Sequence, residues 1–242
     1  MRKQVTTRAI EAIREIIDSG QIKEGDSLMS QPKLAAQLDV SRASLREAMS
    51  TLETLGYLRI EAGRGTFVAS KDPSSNAKWR FADSYPDVQV FQSRLYLECS
   101  IAAEAACHIG VAGLDDLRDQ NAAMARAWKH DDRVEINDAD TAFHETIVAN
   151  CGNQMLQDMY AGVAQILQES QRYPIPVTPK LRAAGSIAEH EHIIQAMHHR
   201  DRVRASKAMQ VHIVETANAL GLKMKTLPWD QQTTPEEAHD HA

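Results

Sequence analysis

The sequence predicts a mainly α protein in two parts, a small helical unit closed by a β-hairpin and then an antiparallel all-helical bundle. Three observations carry this. Strand-like sequence occurs at Tyr57-Leu58-Arg59-Ile60 and Thr66-Phe67-Val68, around the glycine-rich Glu61-Ala62-Gly63-Arg64-Gly65. From Val88 to about Lys225 the chain reads as helices with no convincing strand. Between the two lies Ala69-Ser70-Lys71-Asp72-Pro73-Ser74-Ser75-Asn76, polar and proline-bearing as linkers are.

Thr7 to Ser19 reads as an amphipathic helix with Ile10, Ile13, Ile16 and Ile17 on one face, stopped by Gly20. Leu34, Ala35 and Leu38 form a second apolar ridge, and Asp39-Val40 is a tight link to the next helix. Ser41 suits the N-cap of that helix, because its hydroxyl can accept from a first-turn N–H. Leu45, Ala48, Met49 and Leu52 recur at i, i+3, i+4 and i+7, and Gly56 ends the run as a C′ glycine would. Arg42 and Arg46 share the opposite face, giving a cationic, hydroxyl-rich edge that suits a DNA groove. Helix, turn, helix and hairpin in this order make a winged helix-turn-helix. There the second helix enters the major groove, and the wing reaches the adjoining minor groove or backbone. The bland alternative, a small module with a solvated arginine face, explains the order less well.

Leu34-Ala35, Leu38-Asp39-Val40-Ser41-Arg42, Leu45-Arg46-Glu47-Ala48, Leu52-Glu53 and Gly63-Arg64-Gly65-Thr66-Phe67-Val68 resemble the winged-helix domain of GntR-type bacterial regulators. The resemblance covers almost all of the first 70 residues. It implies contacts to a double-stranded DNA operator from Ser41, Arg42, Ser44 and Arg46, with Gly63 and Arg64 on the wing. One departure stands out. The family usually reads Leu-Pro-Ser-Glu-Arg-Glu-Leu-Ala where this chain has Leu28-Met29-Ser30-Gln31-Pro32-Lys33-Leu34-Ala35. Pro32 replaces an arginine that often touches DNA; proline suits a first helical turn, so the fold is kept while that contact is lost.

The expected organisation is a DNA-binding unit over 1–70, a linker over 71–86, a helical domain over 87–225 and a disordered tail over 226–242. Within the helical domain the expected helices are Val88–Ile109, Leu114–His130 after a break at Gly113, and Asp132–Asn150. Asn153–Arg172 follows, closed by Pro174 and Pro176, then Pro179–Arg200 and Asp201–Lys225.

Asp140 and His144 lie four residues apart on one expected helix, so their side chains can address a common centre. His190 and His212 fall mid-way along the last two helices. A carboxylate and three imidazoles converging in a bundle can bind a divalent ion of borderline character, zinc foremost, with nickel, cobalt, iron or manganese also suited. In a chain with ten histidines the pair Asp-x-x-x-His also arises by chance, and polar groups satisfied at the rim of a core are the alternative. Asp140-Thr141-Ala142-Phe143-His144, Glu189-His190-Glu191-His192-Ile193 and Val211-His212 resemble the FadR-like subgroup of the GntR regulators, which carries the all-helical FCD effector domain. The resemblance implies that Asp140, His144, His190 and His212 hold one metal ion with open positions for a carboxylate or sugar-acid effector. It also implies a homodimer, and repression relieved by the effector. His192, His198 and His199 face elsewhere; His130, His239 and His241 lie outside the pattern.

Arg94 matches an arginine on the first helix of that domain, where a guanidinium could hold an effector carboxylate. A surface Arg94 paired to Glu98 is the equal alternative. Two other functions use the same Asp/His group. One is a metal-dependent enzyme with Glu145 or Glu189 as base, opposed by the attached winged helix and by the lack of a nucleophile or phosphate loop. The other is a direct metal sensor.

Composition fits a soluble globular chain, no run is long and apolar enough for a membrane span, and no signal-type block follows Met1-Arg2-Lys3-Gln4. Cys99, Cys107 and Cys151 are too few and scattered for a disulfide framework, so a cytoplasmic location is expected. The net charge is −6, but unevenly spread: residues 1–71 hold 11 Lys/Arg against 9 Asp/Glu, the remainder 16 against 24. Mild basicity in the first part implies weak, salt-sensitive non-specific affinity, which a dimer with two reading heads would offset.

Overall fold

The computed structural model describes residues 2–20, 22–69, 84–178 and 181–224. Helix α1 (Arg2–Asp18) starts five residues before the expected Thr7, since Arg, Lys and Gln propagate a helix well. It buries Ala9, Ile10 and Ile13, and Gly20 follows it at φ +72°. Helices α2 (Gln31–Gln37) and α3 (Arg42–Thr54) form the helix-turn-helix, with Pro32 in the first turn of α2. Asp39 turns the chain between them at φ +51°, a left-handed conformation that Asp tolerates better than most residues. Ser41 caps α3, its Oγ accepting from the Ser44 N–H at 3.1 Å. Strands β1 (Leu58–Glu61) and β2 (Gly65–Val68) pair antiparallel, with Leu58 opposite Val68 and Glu61 opposite Gly65. Ile13, Leu34, Leu45, Met49, Leu52 and Leu58 are fully buried between the helices and the hairpin.

The second part runs α4 (Asp87–His108), α5 (Val111–His130), α6 (Arg133–Ala149), α7 (Gln154–Arg172), the short α8 (Pro174–Val177), α9 (Leu181–His198) and α10 (Arg202–Ala219). Asp132, Asn153 and Asp201 cap α6, α7 and α10 by accepting from first-turn N–H groups. Phe91, Leu95, Phe143, Ile147, Ile193 and Met209 fill the core. Two expected boundaries move. Gly113 does not break α5 but lies within it, where a Cβ would come within 2.9 Å of both the Asn150 and Ile109 side chains. Helix α10 stops at Ala219, short of Lys225, because the chain turns at Gly221 (φ +75°) and the Leu222 N–H returns to the Ala217 carbonyl. Most of the expected linker over 71–86 and all of the expected tail over 226–242 lie outside the described residues.

The two parts share a packed boundary. Val134 of α6 and Ile175 of α8 join the apolar core of the first part. Arg14 of α1 binds Asp132 at 2.9 Å, and Arg133 Nη1 donates to the Leu55 carbonyl, just past α3, at 3.3 Å. The Thr54 hydroxyl, in the last turn of α3, donates to Glu169 Oε1 on α7 at 2.8 Å, with both side chains buried. Arg172 holds the other Glu169 oxygen at 3.1 Å. Thr54→Val keeps the shape of the side chain but removes a donor from a buried carboxylate. It should cost about 1–3 kcal/mol, read in thermal unfolding as a fall of roughly 2–4 °C per kcal/mol.

Candidate functional site

Asp140 and His144 project from one face of α6, His190 from α9 and His212 from α10, and all four are buried. One donor atom from each lies within 4.8 Å of every other. The four expected metal ligands are thus brought together. Phe143, between the two α6 donors, stacks flat on His190 with ring centroids 3.9 Å apart and planes 6° from parallel, which fixes that imidazole. His190 Nε2 stands 3.4 Å from Asp140 Oδ1, and neither ring nitrogen of His190 meets a hydrogen-bond partner among the described residues.

A carboxylate stands against each of the remaining imidazoles. His212 Nδ1 and Glu189 Oε2 are 2.9 Å apart, and Glu189 is also bound by both terminal nitrogens of Arg182. Burial pushes the Glu189 pKa up, but the hydrogen bonds from His212 and Arg182 outweigh it and hold the group below its ordinary value. An ionised carboxylate only accepts, so His212 donates from Nδ1 and its Nε2 keeps a free lone pair. On the other side, Glu98 Oε1 accepts from Arg94 Nε at 2.7 Å, and Glu98 Oε2 lies 2.6 Å from His144 Nδ1. The latter lies off the line of a ring N–H and is a close contact without a hydrogen bond. Burial raises the Glu98 pKa, yet Arg94 and then His144 bring it far below the carboxylate range. Burial lowers the pKa of both His190 and His212, for His212 against the opposing bond to Glu189. Neutral imidazoles with unpartnered nitrogens beside a carboxylate are the donor set that a divalent transition ion takes.

Asp140 and His212 open onto a cavity of about 400 Å³, and His144 and His190 stand behind them. Trp128, Met124, Ile136 and Ile175 give the cavity apolar walls, while Arg94, Arg133 and Gln171 add polar ones. Arg94 is not the surface residue of the alternative reading: it is 1% exposed, paired to Glu98, and lines the cavity with its Nη2 unpartnered among the described residues. No motif marks Gln171 or Arg133 as part of the site, while the sequence offers Glu189 only as the base of an enzyme reading and Glu98 only as a partner of a surface Arg94. The i, i+4 spacing of Arg94 and Glu98 and the adjacency of Glu189 to His190 were the only signals available. His192, His198, His199 and His130 are exposed and apart from the group.

On α3, Ser41, Arg42 and Arg46 are exposed, whereas Ser44 is buried with its hydroxyl 3.0 Å from that of Ser41. Gly63 and Arg64 occupy the exposed hairpin tip, and Arg64 pairs with Glu61. Arg46 also borders a cleft whose opposite wall carries Asp138 and Glu145 of α6.

A model of the FCD domain matches residues 89–215, and one for bacterial regulatory proteins of the gntR family matches residues 5–68. The chain belongs to the GntR family and carries an FCD domain. Among GntR-family relatives it is 28% identical to the Bacillus subtilis regulator YcbG, with 88% of each chain covered. It is 27% identical to LutR of B. subtilis, over 85% of this chain and 96% of LutR. The repressor NanR of Citrobacter rodentium is also 27% identical, over 93% of this chain and 89% of NanR. The solved structure of Escherichia coli McbR/YncC superposes with a TM-score of 0.54 at 17% identity, covering 90% of this chain and 97% of that one, a likeness of fold. These families and relatives are transcriptional regulators, so the enzyme reading of the Asp/His group is set aside. No described helix is long and apolar enough to cross a membrane.

The buried Arg94–Glu98 pair has a direct consequence for stability. Glu98→Gln removes the counter-charge of a buried guanidinium, and should cost about 3–5 kcal/mol, measured as a lower urea midpoint with an unchanged slope.

Proposed function

We propose that this regulator binds its operator as a homodimer, and that a small organic-acid effector at a metal centre in the FCD domain controls that binding. The observation that carries the reading is the convergence of Asp140, His144, His190 and His212 beside a cavity that Asp140, His212 and Arg94 line. These four residues would hold one divalent ion, with zinc the first expectation from a three-imidazole, one-carboxylate set. An ion held there would supply a Lewis-acidic anchor for a carboxylate. Arg94 presents its unpartnered Nη2 to the same cavity, and Glu189 keeps His212 turned toward the centre.

DNA reading falls to Arg42 and Arg46 on α3, with Ser41 at its N-terminus and Gly63 and Arg64 on the wing. Ser44 serves by bracing Ser41. Carboxylates facing Arg46 across the cleft oppose a phosphate backbone, so the reading form needs α3 and α6 farther apart than they stand. An effector shifts operator affinity only through its differential affinity for the two arrangements. Dimerisation is supported by an exposed stripe on α7, where Met155, Met159 and Val163 follow at i, i+4 and i+8 and are 73%, 51% and 39% exposed.

Two measurements test this. His144→Ala and His212→Ala proteins should lose the ion on elemental analysis, and Glu189→Gln should weaken it by roughly 10–100-fold in chelator competition. If all three retain full stoichiometry and affinity, the centre is wrongly placed; operator release by metal alone, with no acid present, would make the ion itself the signal. Arg42→Ala should weaken binding to the promoter fragment by about 1–3 kcal/mol, and unchanged affinity would remove α3 from the interface.

A further inference from the structure

Among the side chains lining the cavity beside the metal centre, Gln171 is one that the proposed anchoring of a carboxylate does not use. Gln171, in the last turn of α7, is 5% exposed and lines the cavity near Ile136 and Asp140 of α6. Neither its Nε2 nor its Oε1 meets a hydrogen-bond partner among the described residues. Burying an amide in this state is unfavourable unless something in the cavity completes it, and native interiors rarely leave such groups unmatched.

The chemistry of that complement is narrow. An amide offers one kind of donor and one kind of acceptor side by side. An alkyl chain satisfies neither, and a second carboxylate satisfies only the N–H side. A hydroxyl group satisfies both, since it accepts from Nε2 and donates to Oε1. The size of the site adds a second constraint. About 400 Å³ holds on the order of a dozen water-sized groups at roughly 30 Å³ each. A three-carbon hydroxy acid would leave about half of that space unfilled. Trp128 supplies an aromatic wall against which the C–H face of a hydroxylated carbon chain or ring can lie.

We propose that Gln171 is a specificity-determining residue: its amide binds a hydroxyl group of the effector and so selects hydroxylated acids over alkyl ones. This rests on the reading that an organic acid is held at the metal centre. A site built to bond a hydroxyl discriminates strongly against the analogue lacking it, because its own polar groups are then left unpaired.

The test is isothermal titration calorimetry on the zinc-loaded full chain. The probes are a panel of six-carbon sugar acids (gluconate, galactonate, glucuronate and galacturonate), hexanoate as the equally long acid without hydroxyls, and L-lactate as the short hydroxy acid. At least one sugar acid should bind at least about tenfold tighter than both hexanoate and lactate. Gln171→Leu should abolish that margin, weakening the sugar acid and relieving hexanoate of the unpaired amide, while leaving zinc content unchanged. Gln171→Met, which keeps the length but loses both the donor and the acceptor, provides a second variant and should also lose the margin. Equal binding of hexanoate or lactate and the best sugar acid would overturn the assignment, as would a variant that folds, holds zinc and retains the sugar-acid affinity. If none of the acids binds the wild-type protein at millimolar concentration, the organic-acid reading fails and this inference fails with it. If acids bind but Gln171 makes no difference, only the role of Gln171 falls.

Discussion

Two carboxylates held between an arginine and a histidine organise the centre of this protein. Glu98 lies between Arg94 and His144, and Glu189 between Arg182 and His212. Both guanidinium–carboxylate pairs lie largely out of solvent, and the carboxylates stay ionised because the cations beside them outweigh burial. Ionisation gives each carboxylate an acceptor-only character. For His212 this assigns the tautomer; for His144, where the contact is off-line, it supplies charge and proximity alone. The imidazoles are therefore positioned before anything binds, and little ordering is left for the moment of binding.

The same architecture ties the centre to the DNA-reading unit. Arg133 lines the cavity and donates to the carbonyl just beyond α3. Ile175 of α8 packs into the apolar core of the winged helix and into the cluster around Met124 and Ile136 that walls the cavity. The last turn of α7 carries Glu169, bonded to Thr54 of α3, and two residues later Gln171, facing the cavity. A displacement at the cavity wall thus has packed and hydrogen-bonded routes to α3, which is the physical requirement for coupling between two sites.

Local information sufficed for much of this. The cap at Ser41, the apolar seam of α3, and the helix starts behind Asp132, Asn153 and Asp201 are short-range patterns that survive in the fold because tertiary packing agrees with them. Asp140 and His144 share a face for the same reason. Other features depend on which helix lies beside which. Gly113 reads as a breaker until Asn150 and Ile109 are seen to crowd it, and then it is the residue that allows their approach. Ser44 has the chemistry of a DNA contact but points into the cap. Glu189 reads from sequence only as the base of an enzyme and not as the partner of His212, and Gln171 carries no pattern at all. Their roles come from partners 23 residues away or from a cavity, and no periodicity records that.

Val134 belongs by sequence to α6 of the FCD domain, yet its side chain completes the apolar core of the winged helix. The reading head is accordingly not a self-contained cassette. Excised from its body, it carries a gap in its interior where Val134 sat; joined to a foreign body, it needs a side chain of like shape at the same place. Swapping heads among paralogous regulators is constrained at this joint, and in this lineage the two halves have to diversify together.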